Sequence, residues 1–161
     1  MKPIMLATDG SPSAEAATRE AIDLAKQLGV PLLAVSVEHH LVPSYGYYGY
    51  AEVVAEMRKA EHDRVAKVLE AVWDRACEAG VECETLPLEG LPARDLCEAA
   101  AQRDVRLVII GAHGWGRIGR LIHGSVSTHV LHHAPVPVLV VHGDDDAVVA
   151  DAPSAAAVAV V

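Results

Sequence analysis

A chain of 161 residues that is 52% hydrophobic and contains no Phe must build its core from Ala, Val, Leu and Ile, which favours helices laid on a sheet in one domain. Asp and Glu number 22 against 13 Lys and Arg, a balance that speaks against non-specific nucleic-acid binding. No apolar run reaches the ~20 residues that span a bilayer, and no signal-peptide layout opens the chain, so it reads as cytoplasmic.

Residues 2–8 (KPIMLAT) form a short apolar run that ends at a turn cluster, Asp9-Gly10-Ser11-Pro12, suited to capping a helix. From Ser13 the pattern becomes helical, with Ala17, Ala21, Leu24, Ala25 and Leu28 on one face and Gly29 as the stop. Pro31 opens a second strand over 32–37. Residues 38–50 (EHHLVPSYGYYGY) hold all four tyrosines and read as a long loop with a functional or oligomeric role. A helix follows over 51–79, with Val65, Val68, Leu69, Val72 and Ala76 on one face.

Residues 81–88 alternate like a half-exposed strand, and Gly90-Leu91-Pro92 leads into a helix over 93–103. A strand over 106–110, a helix over 125–133 and a strand over 136–142 complete the order. Strands alternating with helices, several of them near-continuous in Val, Ile and Leu, predict an α/β fold: an open, doubly wound parallel five-stranded sheet with helices on both faces. Ligands of such sheets sit beyond the carboxyl ends of the strands, where the strand order switches. Residues 1–142 are expected to be the domain, and the acidic, then Ala/Val-rich segment 143–161 a tail. The cysteines, Cys77, Cys83 and Cys97, lack the spacing of a zinc or redox site and are expected to be reduced and packed.

Charge is unevenly spread. No acid occurs from Val105 to Gly143, whereas Arg106, Arg117, Arg120 and six of the nine histidines lie there, around GAHGWGRIGRLIHGS at 111–125. That segment contains GxGxxG at 114–119, the pattern of a dinucleotide loop, but Gly124 would interrupt the helix that should follow, and no acid stands where a ribose partner is needed. A phosphate loop of the form GxxxxGK[ST] is absent from the sequence. A different spacing stands out: Gly111, two residues, Gly114, nine residues, Gly124, Ser125. Gly111 would let backbone approach ribose and phosphate, Gly114 would allow a turn that exposes amides, and Gly124-Ser125 would open a helix whose N-terminus favours phosphate.

This G-2x-G-9x-G-[ST] spacing, with the strand and turn at 4–11, closely resembles ATP-binding members of the universal stress protein family, and the resemblance runs from Lys2 to about His142. It implies a Rossmann-like sheet of strand order 3-2-1-4-5 and an ATP site, with Mg²⁺ as counter-ion. Carried over residue by residue, Ala7 and Thr8 would line the base, Asp9 would meet the ribose or adenine side, and the Val37 backbone would read the adenine edge. Gly111, His113, Gly114, Arg117, Gly124, Ser125, Val126 and Ser127 would surround the phosphates. The resemblance also implies a homodimer through the fifth strand.

A regulatory, stress-response binding protein is expected rather than a dedicated enzyme, slow ATP hydrolysis being compatible with it. A nucleotide-independent interaction module of the same fold and an NAD-linked oxidoreductase are the alternatives. Neither a metal site at His129, His132 and His133 nor a nucleic-acid partner is expected, and a downstream protein partner cannot be named from the sequence.

Overall fold

The computed structural model describes residues 1–39, 51–112 and 125–143. Five strands, β1 (Ile4–Ala7), β2 (Leu32–His39), β3 (Cys83–Gly90), β4 (Leu107–Gly111) and β5 (Val138–Val141), alternate with helices α1 (Pro12–Leu28), α2 (Ala51–Glu78), α3 (Pro92–Gln102) and α4 (Ser125–His133). All neighbouring strands are parallel, as the sequence pattern predicts, and their order, β3-β2-β1-β4-β5, is the one that the family resemblance implies. From β1 the chain steps outward through β2 to β3 and then returns to β4 and β5. Right-handed crossovers therefore place α1 and α2 on one face and α3 and α4 on the other.

The strand residues sort by parity. Ile4, Leu6, Leu32, Ala34 and Ile109 pack with Ala17, Ala21, Ile22 and Ala25 of α1 and Val65, Leu69, Val72 and Ala76 of α2. Met5, Ala7, Leu33, Val35, Val37, Val108 and Ile110 pack with Leu96, Ala99 and Ala100 of α3 and Val130 of α4. Both faces of the central strands are thus buried, which is why their sequences do not alternate in polarity.

Local chemistry sets the element ends. Ser11 caps α1, its hydroxyl accepting from the Ala14 N–H at 3.2 Å, while Pro12 occupies the first turn, where its missing N–H costs nothing. Gly29 closes α1 at φ 63°, a conformation costly for a residue with a Cβ. β2 runs two residues beyond the expected strand, because Glu38 and His39 continue the ladder opposite Glu89 and Gly90. The rest of the Tyr-rich segment, 40–50, lies outside the described residues, as does 144–161.

At one edge of the sheet, Leu32 N–H donates to Glu82 at 2.8 Å. The parallel ladder then turns the even-numbered N–H groups of β3 toward β2, so Pro87 lacks its N–H on the outer side and blunts that edge. At the other edge, Val108 N–H donates to Pro137 and Ala112 N–H to Val141. The main-chain groups of Val138 and Val140 consequently point outward.

Candidate functional site

The strand order switches between β1 and β4, which pair in parallel with Ala7 opposite Ile110. Doubly wound sheets hold ligands beyond the carboxyl ends of the strands at such a switch. The described residues expected to form the site, Ala7, Thr8, Asp9, Val37, Gly111, Ser125, Val126 and Ser127, belong to elements that converge there. His113, Gly114, Arg117 and Gly124 lie outside the described residues.

The turn after β1 is held from several directions. Thr8 is buried, and its N–H donates to the Val35 carbonyl at 2.9 Å, extending the sheet by one bond past β1. Its hydroxyl accepts from the Gly10 N–H at 3.3 Å, and the Asp9 carboxylate accepts from the Ser11 N–H at 2.9 Å. Asp9 thus shapes the turn, while Ser11 caps the helix. Gly10 takes φ 76°, and a Cβ there would lie 2.7 Å from Val68 Cγ2, so α2 is seated directly on the turn.

On the β4 side, Gly111 ends the strand and Ala112 is fully buried. The hydroxyl of Ser127, itself buried, donates to the Ala112 carbonyl at 3.0 Å, tying the first turn of α4 to the end of β4. Ser125 is exposed at the start of α4, a nine-residue helix whose first-turn N–H groups have no partner within the helix. A Cβ on Gly111 would meet the Ser13 carbonyl carbon, carbonyl oxygen and Oγ, each at 2.9 Å. The space expected to admit ligand at that Cβ is therefore taken by the start of α1. Val37 is buried near the end of β2, opposite Leu88, on the α3/α4 face.

Two side chains of α2 that pattern reading passed over reach the strand ends. Arg64 Nη1 donates to the Asp9 carbonyl at 2.9 Å, and His62 Nδ1 lies 2.7 Å from Glu38 Oε1 at the end of β2. The spacing of Glu61, Arg64 and Val68, three and then four residues apart, is the signal that could have found Arg64, since it marks one helix face beside the core stripe.

The cysteines depart in part from expectation. All three are free thiols, but Cys77 is exposed rather than packed, because it lies one residue beyond the buried Ala76 and so off the core-facing stripe of α2. Burial pushes the Cys83 thiol up to about 11, with the neighbouring Cys77 adding to it. On α4, His129 and His133 stack at 4.1 Å, and His133 Nδ1 donates to the His129 carbonyl at 2.9 Å. Among the described residues no group of three or more His, Cys, Asp or Glu is arranged to hold a metal ion, and no helix is long and apolar enough to cross a membrane.

A family model described as the universal stress protein family matches residues 1–142. The chain is 34% identical over 142 residues to universal stress protein MJ0531 of Methanocaldococcus jannaschii, covering 87% of this chain and 81% of that one. It is 37% identical over 142 residues to universal stress protein Rv2005c of Mycobacterium tuberculosis, covering 86% of this chain but 44% of that longer protein. The chain thus spans less than half the length of this mycobacterial relative.

Among solved structures, UspA from Lactobacillus plantarum superposes with a TM-score of 0.78 at 25% identity, over 87% of this chain and 97% of that one. A universal stress protein in complex with cAMP superposes with a TM-score of 0.67 at 26% identity, over 89% and 98%. The universal stress protein from Archaeoglobus fulgidus in complex with dAMP gives 0.60 at 26% identity, over 88% and 98%.

Proposed function

The chain belongs to the universal stress protein family, and from that premise we propose that it is a regulatory, cytoplasmic binding protein for an adenine nucleotide, taking ATP with Mg²⁺ at the carboxyl ends of β1 and β4. The observation that carries this reading is the convergence of the Thr8-Asp9-Gly10 turn and the Ser125-Val126-Ser127 helix start on the β1/β4 switch point. Two similar proteins of the same fold have been solved with dAMP and cAMP, which supports the nucleoside half of the reading.

The donor set fits the group. The start of α4 offers backbone N–H groups, the positive end of a helix dipole and the Ser125 hydroxyl, in a stretch without acids from Val105 to Gly143. These would hold phosphate, together with Gly114, Arg117 and Gly124. The Asp9 carboxylate can accept from a ribose hydroxyl, the buried Ala7 and Thr8 would line the base, and the Val37 backbone would read the adenine edge. Bound Mg²⁺ would offset phosphate charge, since it prefers phosphate oxygens to an all-protein cage. The proposed role is that of a regulatory binding module, with which slow ATP hydrolysis is compatible.

The same reading includes a homodimer formed through the outer edge of β5, where the ladder turns the Val138 and Val140 main-chain groups away from β4.

Isothermal titration of the full chain with ATP and AMP in Mg²⁺ tests the site. Saturable binding of both is expected, with Ser125→Ala weakening ATP more than AMP by about 1 kcal/mol, the worth of one hydrogen bond. Absence of heat with either nucleotide, from protein shown to be nucleotide-free by mass spectrometry after denaturation, would overturn it.

A further inference from the structure

Arg64 stands on α2, the element to which the nucleotide reading assigns no part. Its guanidinium is held at three points: Nε and Nη2 donate to the two carboxylate oxygens of Glu61 at 2.9 and 2.8 Å, and Nη1 donates to the Asp9 carbonyl at 2.9 Å. The two-point grip of Glu61 fixes the plane of the fork, so the third donor is aimed at Asp9 rather than left to rotate. Glu61 also raises Arg64 further above its ordinary value against the opposing effect of burial, with Asp9 and Glu38 contributing, so the group stays charged.

What Arg64 controls follows from the residue after Asp9. Gly10 stands at φ 76°, and glycine tolerates either sign of φ, so the Asp9–Gly10 peptide is the easiest in the turn to rotate. Rotation of that peptide would redirect both the Asp9 carbonyl and the Gly10 N–H that now reaches Thr8 Oγ1. Val68 packs on Gly10 from the same helix and limits the space for such a flip. A charged donor fixed on α2 therefore selects one sense of a peptide that the chain itself leaves soft.

Resting on the nucleotide reading above, we propose that Arg64 is a positioning residue of the nucleotide site, holding the Thr8-Asp9-Gly10 turn through the Asp9 carbonyl in the shape that receives the nucleoside. Helix α2 then forms part of the site without touching the ligand. The turn serves base and ribose, whereas α4 serves phosphate, so loss of Arg64 acts equally on AMP and ATP.

The test is Arg64→Met, which keeps much of the apolar stem and removes the fork, with Glu61→Gln as a milder second variant that loosens the grip on the guanidinium. Three measurements are made on the full chain: the affinities for AMP and for ATP with Mg²⁺, amide hydrogen exchange of the segment containing Gly10 and Ser11 without nucleotide, and the melting temperature. Arg64→Met is expected to weaken both nucleotides by the same factor, about tenfold for loss of a charge-assisted hydrogen bond, and to speed exchange in the turn. Glu61→Gln should shift all these quantities the same way by less, and its result stands if Arg64→Met does not fold. Selective loss of ATP, or faster exchange with both affinities kept within about twofold, would overturn the assignment while leaving the nucleotide reading intact. Wild-type protein that binds neither nucleotide would overturn both.

Discussion

Gly111 separates two physical explanations for one residue. If it serves only to let a ligand approach the end of β4, adding a methyl group should cost affinity and leave folding untouched. The packing says otherwise: a Cβ there would sit 2.9 Å from the carbonyl carbon, carbonyl oxygen and Oγ of Ser13. Two of those three atoms are backbone, pinned in the first turn of a helix capped by Ser11, so they cannot move aside by changing rotamer. Overpacking of this kind costs about 1–3 kcal/mol, and the backbone contacts place Gly111→Ala in the upper half of that range. With a urea m-value of about 2 kcal/mol/M, the unfolding midpoint should fall by about 1 M, followed by circular dichroism. Removing the Ser13 hydroxyl in Gly111→Ala/Ser13→Gly should give little rescue, because the carbonyl group of residue 13 remains. Gly29→Ala is the comparison: among the described residues nothing lies within 4 Å of its missing Cβ, so the left-handed φ of 63° opposes it, at about 1 kcal/mol. An unchanged midpoint for Gly111→Ala, or full rescue by Ser13→Gly, would refute the close approach of α1 to β4.

Ser36 is buried on β2 with no hydrogen-bond partner for its hydroxyl among the described residues, so Ser36→Ala should raise stability by about 1 kcal/mol, read as a higher urea midpoint. The raised Cys83 value means that the unfolded chain releases this proton from about 9 while the folded chain holds it to about 11. Stability should therefore fall with rising pH across that window, and Cys83→Ala should flatten the slope in melts between those pH values. Alkylation at neutral pH should reach the exposed Cys77 before Cys83, as peptide mass spectrometry would show. For the proposed dimer, Val140→Pro removes an N–H that the ladder points away from β4, so sedimentation should shift from two chains to one, with circular dichroism checking that the variant stays folded without the buried Val140 side chain. A two-chain mass for that variant would count against pairing through β5.

Much of this molecule was legible before any coordinates, because the signals concerned are local. The alternation of helix-period and apolar-run segments, the caps at Ser11-Pro12 and Gly29, and the Pro at the start of α3 depend on residues within a turn or two of one another, and the elements appear within a few residues of where those signals put them. The glycine spacing and the acid-free stretch pointed to the carboxyl ends of β1 and β4, and the strand order brings those ends side by side. Tertiary packing alone decided the rest. That Gly111 faces Ser13, that Val68 fills the space beside Gly10, and that Arg64 reaches across 55 residues to the Asp9 carbonyl all depend on how closely helices settle on a sheet. Periodicity tells which face of α2 is buried, but not which backbone atom a guanidinium at the border of that face will meet. That choice is made by shifts of about an ångström in how elements distant in sequence settle on one another, which close packing fixes and local preference does not.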